Sequence, residues 1–216
     1  MEYPSRLRLA GVASVAALVV TVFVAGALDP TVRALPVRAR LSDLGRPGAP
    51  GALVFGPGLG VTAVLGLAAV GSWWRAATSA LDRAAVALAG VAFLGLGIAG
   101  LFPAPSVTHL PALALGYLAG WTAALLDGLR LRDAPTGRTR AGRALRVGAA
   151  VVALLWLVRG LVAVTFVLSG PTSALLLPEL ATLALFGGWV LFRTRGGARA
   201  AVTTGGAGPG VSVAGP

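Results

Sequence analysis

The chain has 216 residues, 56% of them hydrophobic and 12% charged, with a formal charge of +11 and no cysteine. So small a charged fraction, against roughly 25% in an average soluble domain, excludes a soluble globular enzyme. The lack of cysteine removes disulfides, thiolate metal sites and thiol nucleophiles.

The apolar residues fall in six blocks of about 18–22 residues, each long enough to cross a bilayer, which predicts an all-α polytopic transmembrane bundle. The first span covers 9–28, preceded by Arg6 and Arg8, and a loop rich in Pro, Gly and Arg follows it over 29–52. The second covers 53–72 and is closed by Trp73 and Trp74; a polar hinge then carries Arg75, Asp82 and Arg83. The third, 84–102, is stopped by Pro103-Ala104-Pro105, and the fourth, 110–126, ends at Asp127. An arginine-rich linker from Arg130 to Arg146 leads to the fifth, 147–168. The turn Ser169-Gly170-Pro171-Thr172 then gives the sixth, 174–192. Residues 196–216 are Gly- and Ala-rich without a core-forming pattern and are expected to be a disordered cytoplasmic tail. Span one has a second reading as a cleavable signal peptide, with Arg6 and Arg8 ahead of it and Ala25-Gly26-Ala27 at its end.

The basic residues are all arginine and punctuate the apolar blocks, a pattern that sets topology rather than binding nucleic acid. With the N-terminus inside, 13 of the 18 arginines lie in inner segments, so the positive-inside rule places both termini in the cytoplasm. Arg33, Arg38, Arg40 and Arg46 in the first outer loop run against that rule. Trp73, Trp74 and Trp189 fall near inner span ends, where aromatic side chains anchor at the interface.

One charge stands apart. Arg159 interrupts the fifth span, and a charge near the centre of a transmembrane helix costs about 2.5–3.5 kcal/mol on insertion scales, so it should face protein or water and have a partner. Glu179, one turn into the sixth span, is the nearest counter-charge. His109, which opens the fourth span, and Asp43, in the first outer loop, fall at the same end. Arg159, Glu179, His109 and Asp43 are therefore the candidate ligand-binding residues. Arg159 would give a bidentate grip on a phosphate or carboxylate; the competing reading is a structural Arg159–Glu179 ion pair. His109 and Glu179 are the candidate acid and base of a catalytic reading, with an interfacial, water-satisfied His109 as the plain alternative. A metal site is not expected, since three or four ligands would be needed from a carboxylate-rich set.

Asp82, Asp127 and Asp133 read as local partners of the inner arginines. Gly56-Pro57-Gly58-Leu59-Gly60 lacks the Lys-Ser/Thr of a nucleotide loop, so no cofactor is expected. The Gly56/Gly60 and Gly116/Gly120 pairs are small-residue faces for close helix packing, within the bundle or between two copies of the chain. Arg138, Arg140, Arg143 and Arg146 set topology and could also meet anionic headgroups.

The order of Ser42-Asp43-Leu44-Gly45, Phe55, Gly100-Leu101-Phe102-Pro103, His109, Glu179 and Trp189 resembles the prokaryotic membrane family called domain of unknown function 998, over roughly residues 8–193. The resemblance implies about six spans and no activity. Where that pattern has Asn after Phe55, this chain has Gly56 and offers no polar side chain there. The expected function is binding or organising an anionic lipid or amphiphile, with membrane lipids as partners. An intramembrane lipid hydrolase or transferase comes second and a small-solute transporter third.

Overall fold

A computed structural model describes residues 5–30, 40–132, 136–167 and 176–204. They form six long helices: α1 (Ser5–Leu28), α2 (Ala52–Ala76), α3 (Ala80–Leu101), α4 (His109–Arg130), α5 (Thr136–Val167) and α6 (Leu176–Thr204). A 3-10 turn, Leu41–Gly45, lies between α1 and α2. All six helices are long and apolar enough to cross a membrane, and no strand occurs among the described residues.

Two helices overrun their predicted spans by more than ten residues. α5 starts at Thr136 instead of near Val147, because Pro135 is the last proline of the arginine-rich stretch and the Arg and Ala residues after it favour helix enough to carry Gly137 and Gly142. α6 continues to Thr204, into the segment expected to be unstructured; 205–216 lie outside the described residues, as do Asp133 and the Ser169–Thr172 turn. Apolar run length marks where a helix meets lipid, not where it ends.

Residues that touch sort the helix ends into two groups. Trp73, Asp82, Asp127, Trp189 and Arg193 meet at one end, here the arginine end. Leu41 and Glu179 meet at the other, the turn end. The helices therefore alternate in direction through the bundle. α3 packs most extensively on α4, then α2 on α3 and α1 on α2, while α6 closes against α4, α5 and α1. α5 is the most peripheral of the six, with the least buried apolar window.

Small residues allow these contacts. In lipid there is little hydrophobic drive between helices, so close van der Waals approach must hold them. A Cβ added at Gly95 would lie 2.6 Å from the Ala112 carbonyl oxygen and 2.7 Å from the Gly116 Cα. One added at Gly100 would lie 2.6 Å from the Gly56 carbonyl oxygen. Gly56, Gly116 and Gly120 thus pack inside the bundle, whereas Gly60 faces open space. Large side chains such as Phe23, Val64, Leu101 and Leu157 point outward as an exposed apolar belt.

Hydroxyls in the spans bond back to their own helices: Ser14 to Gly11, Thr62 to Gly58, Thr182 to Pro178 and Thr194 to Val190 carbonyls. That satisfies polar groups where no water reaches. Through the centre runs an aromatic column. Phe93 contacts Phe186 (centroids 5.0 Å apart), Phe186 stacks on Trp189 (5.7 Å), and Trp189 meets Trp73 edge-on (5.6 Å). Trp73 and Trp189 are buried core residues, not interface anchors; only Trp74, half exposed, fits the interfacial role.

Candidate functional site

At the turn end the first loop folds back over the bundle. Leu41 and Leu44 are buried, and Gly45 lies so close to the Phe55 ring that an added Cβ would come within 2.8 Å of it. The Leu41 backbone N–H donates to Glu179 Oε2 at 2.7 Å. Glu179 is buried at 3% exposure, so a carboxylate from the first turn of α6 serves as the anchor of a turn 138 residues earlier in the chain. The Asp43 carboxylate accepts from the Arg40 N–H and pairs with Arg46 at 2.6 Å, closing its own turn. Arg40 and Asp43 also lie within electrostatic range of Glu179.

These contacts bear on the competing reading of an Arg159–Glu179 ion pair. Among the ion pairs of the described residues that one does not occur, and Glu179 is engaged by backbone instead. Arg159 is half-buried. It lies three residues beyond Trp156 on the face of α5 that carries Ala149 and Val152 into the bundle, as helical periodicity requires; both of those are buried.

His109 is buried, and its Nδ1 lies 2.9 Å from the Phe102 carbonyl oxygen and 3.1 Å from that of Ala99. Facing two acceptors, Nδ1 carries the proton in the neutral ring. Nε2 is then a bare acceptor, buried and without a hydrogen-bond partner among the described residues. In this state the ring offers a base, not an acid. No hydrogen bond joins it to Glu179.

A cleft of about 280 Å³ opens between α4, α5 and α6, lined by Ala114, Tyr117, Leu118, Trp121, Val152, Ala153, Trp156 and Thr182. Its indole donors are already used: Trp121 Nε1 donates to the Ala149 carbonyl at 2.8 Å, and Trp156 Nε1 to Thr182 Oγ1 at 3.0 Å. The Thr182 hydroxyl donates in turn to the Pro178 carbonyl at 2.7 Å. With those groups spent, the walls offer aromatic and aliphatic surface. Ala114, Leu118 and Ala153 at the rim are exposed on the outside of the bundle, so the cleft opens sideways onto the apolar belt.

The most developed polar arrangement is at the arginine end. Asp82 and Asp127, expected to serve only as local partners, converge on Arg193. Arg193 Nε donates to Asp127 Oδ2 at 2.9 Å, and its Nη2 bonds Asp82 Oδ1. Trp189 Nε1 donates to Asp127 Oδ2 at 3.0 Å, and Arg130 Nε to Asp127 Oδ1 at 2.7 Å. The Arg193 guanidinium also lies over the Trp189 ring, 5.3 Å from its centroid. Asp82 additionally helps cap α3, where its N–H donates to the Ser79 hydroxyl. Two carboxylates and two guanidiniums thus tie α3, α4 and α6 together in a charge-balanced, hydrogen-bonded cluster. The convergence on Arg193 was not legible in the sequence.

No group of three or more metal-ligating side chains occurs among the described residues. No family model matches the chain, and neither a curated protein nor a solved structure matches it.

Proposed function

We propose that this integral membrane protein binds an anionic lipid or amphiphile in the cleft between α4, α5 and α6. The observation that carries the reading is a lateral, aromatic-walled cleft of about 280 Å³ whose two indole donors are satisfied. A dry cavity of about 150 Å³ already accepts benzene, so this one has room for a segment of acyl or prenyl chain. Arg159 stands about 4.5 Å further along α5 than Trp156, at 1.5 Å per residue. There it serves as the contact for a phosphate or carboxylate headgroup. Both termini lie in the cytoplasm of a prokaryotic cell in this proposal, supported by the arginine distribution, so the cleft belongs to the outer leaflet. The motif order from Ser42 to Trp189 supports grouping the chain with the domain of unknown function 998 family.

The test is mass spectrometry of lipids retained after purification in mild detergent, comparing wild type with Arg159→Leu and with Ala153→Phe, which fills the cleft from its rim. The expected result is an anionic species enriched in the wild type and lost from both variants. Identical lipid profiles from three proteins that elute as folded monodisperse particles would overturn the proposal.

A further inference from the structure

The same peripheral helix borders a second opening. On the arginine-end half of the α5–α6 seam, Ala141, Ala144, Leu145, Ala184, Leu185, Gly188 and Phe192 line an apolar groove of about 280 Å³. The register across this seam follows from one contact: a Cβ added at Gly148 would lie 2.8 Å from Leu185 Cδ1. Because the two helices run in opposite directions, each residue gained toward the arginine end on α6 is matched by one lost on α5. Gly188 then stands level with Leu145, Phe192 with Ala141, and Arg195 with Arg138.

The facing agrees with the level. Arg138, Ala141 and Leu145 form one stripe on α5, and Gly188, Phe192 and Arg195 form another on α6, each at the three- and four-residue spacing of a single helix face. Both arginines are exposed, and neither pairs with an acidic side chain among the described residues. The seam thus sets an apolar groove beside two exposed cations at one level.

We propose that this groove is a second lipid site, specific for an anionic phospholipid of the leaflet at the arginine end. Its phosphate would bridge Arg138 and Arg195, and the first part of one acyl chain would lie along Gly188. Basic residues at a membrane surface attract anionic lipid; here the groove supplies the second half of the recognition. The site shares no residue with the α4–α5–α6 cleft and does not rest on that reading.

The full chain in mild detergent is labelled with a phosphatidylglycerol analogue carrying a photoreactive acyl chain, and the adducts are mapped to peptides. Adducts are expected on 141–145 and 184–192. Unlabelled phosphatidylglycerol should compete for them about thirtyfold better than phosphatidylcholine of the same chains, about fivefold per arginine. Arg138→Gln with Arg195→Gln should abolish that preference. Gly188→Leu should remove the adducts altogether, and it places its side chain where nothing lies within 4 Å of an added Cβ. Ala144→Phe, on the opposite wall, gives the same readout should the first variant unfold. Labelling that survives both groove-filling variants, or a preference that survives loss of both arginines, would overturn the proposal. So would equal competition by soluble glycerol phosphate, which has a headgroup but no chain. Adducts on 114–121 and 152–156 report the other cleft separately in the same experiment.

Discussion

Asp127→Asn changes one carboxylate oxygen to an amide nitrogen at the point where α3, α4 and α6 are tied together. Asp127 has no exposed surface, and both its oxygens are occupied: Oδ2 by Trp189 and Arg193, Oδ1 by Arg130. In either orientation an asparagine turns its NH2 group toward at least one donor. The less costly orientation faces Arg130, whose side chain is 32% exposed and can turn to water, and keeps the carbonyl on Trp189 and Arg193. The cluster nevertheless passes from charge balance to an excess of one positive charge, with Asp82 alone opposing Arg193 and Arg130. Breaking a buried pair costs about 3–5 kcal/mol, and the escape open to Arg130 favours the lower figure, about 3 kcal/mol. Trp189→Phe removes one hydrogen bond but keeps the aromatic column, and should cost about 1 kcal/mol. Arg83→Gln, an exposed arginine of the same hinge, should stay within about 0.5 kcal/mol of wild type. Reversible unfolding in mixed micelles with rising dodecyl sulfate fraction, followed by far-ultraviolet circular dichroism, measures all three. If Asp127→Asn falls with Arg83→Gln, the cluster contributes nothing net and packing alone holds these helix ends.

Glu179→Ala leaves the buried Leu41 N–H without its acceptor, at about 1–3 kcal/mol. Amide hydrogen exchange over Leu41–Gly45 should speed up about tenfold or more, while Glu179→Gln, which keeps an acceptor oxygen, should change it less; unchanged exchange in the alanine variant refutes the anchor. Gly95→Ala puts a methyl 2.6 Å from the Ala112 carbonyl oxygen and should destabilise by about 1–3 kcal/mol through overpacking. Gly60→Ala meets nothing within 4 Å and should be neutral or slightly stabilising, so equal effects in the micelle assay would show that the α3–α4 approach is not close. The chain has one histidine, so nitrogen-15 spectra of the labelled protein report His109 alone. The neutral ring should carry its proton on Nδ1, and a proton on Nε2 would refute the tautomer set by Ala99 and Phe102.

The candidate sites divide by how far apart their parts lie in the chain. Arg159 and Glu179 stood out because a charge inside an apolar run is expensive wherever its partner is. Their partners could not be read the same way: Glu179 takes a backbone N–H from a loop, and amides carry no sequence signature. The cleft by Trp156 was invisible for a related reason. Trp121, Trp156 and Thr182 look like ordinary span residues until α5 docks loosely enough to leave space between them.

The six spans, the all-α class and the absence of soluble-domain character were written in the sequence, because transfer of an apolar segment from water to lipid depends on its own length and composition. Small residues at Gly56 and Gly116 could be recognised as packing faces, but which helix each would meet could not. The burial of Trp73 and Trp189 and the convergence of Asp82 and Asp127 on Arg193, across 111 and 66 residues, were decided only by tertiary structure. They depend on which helix ends share a side of the bundle and how each helix is rotated about its axis. Hydropathy reports neither, since rotation is set by the neighbours a helix packs against.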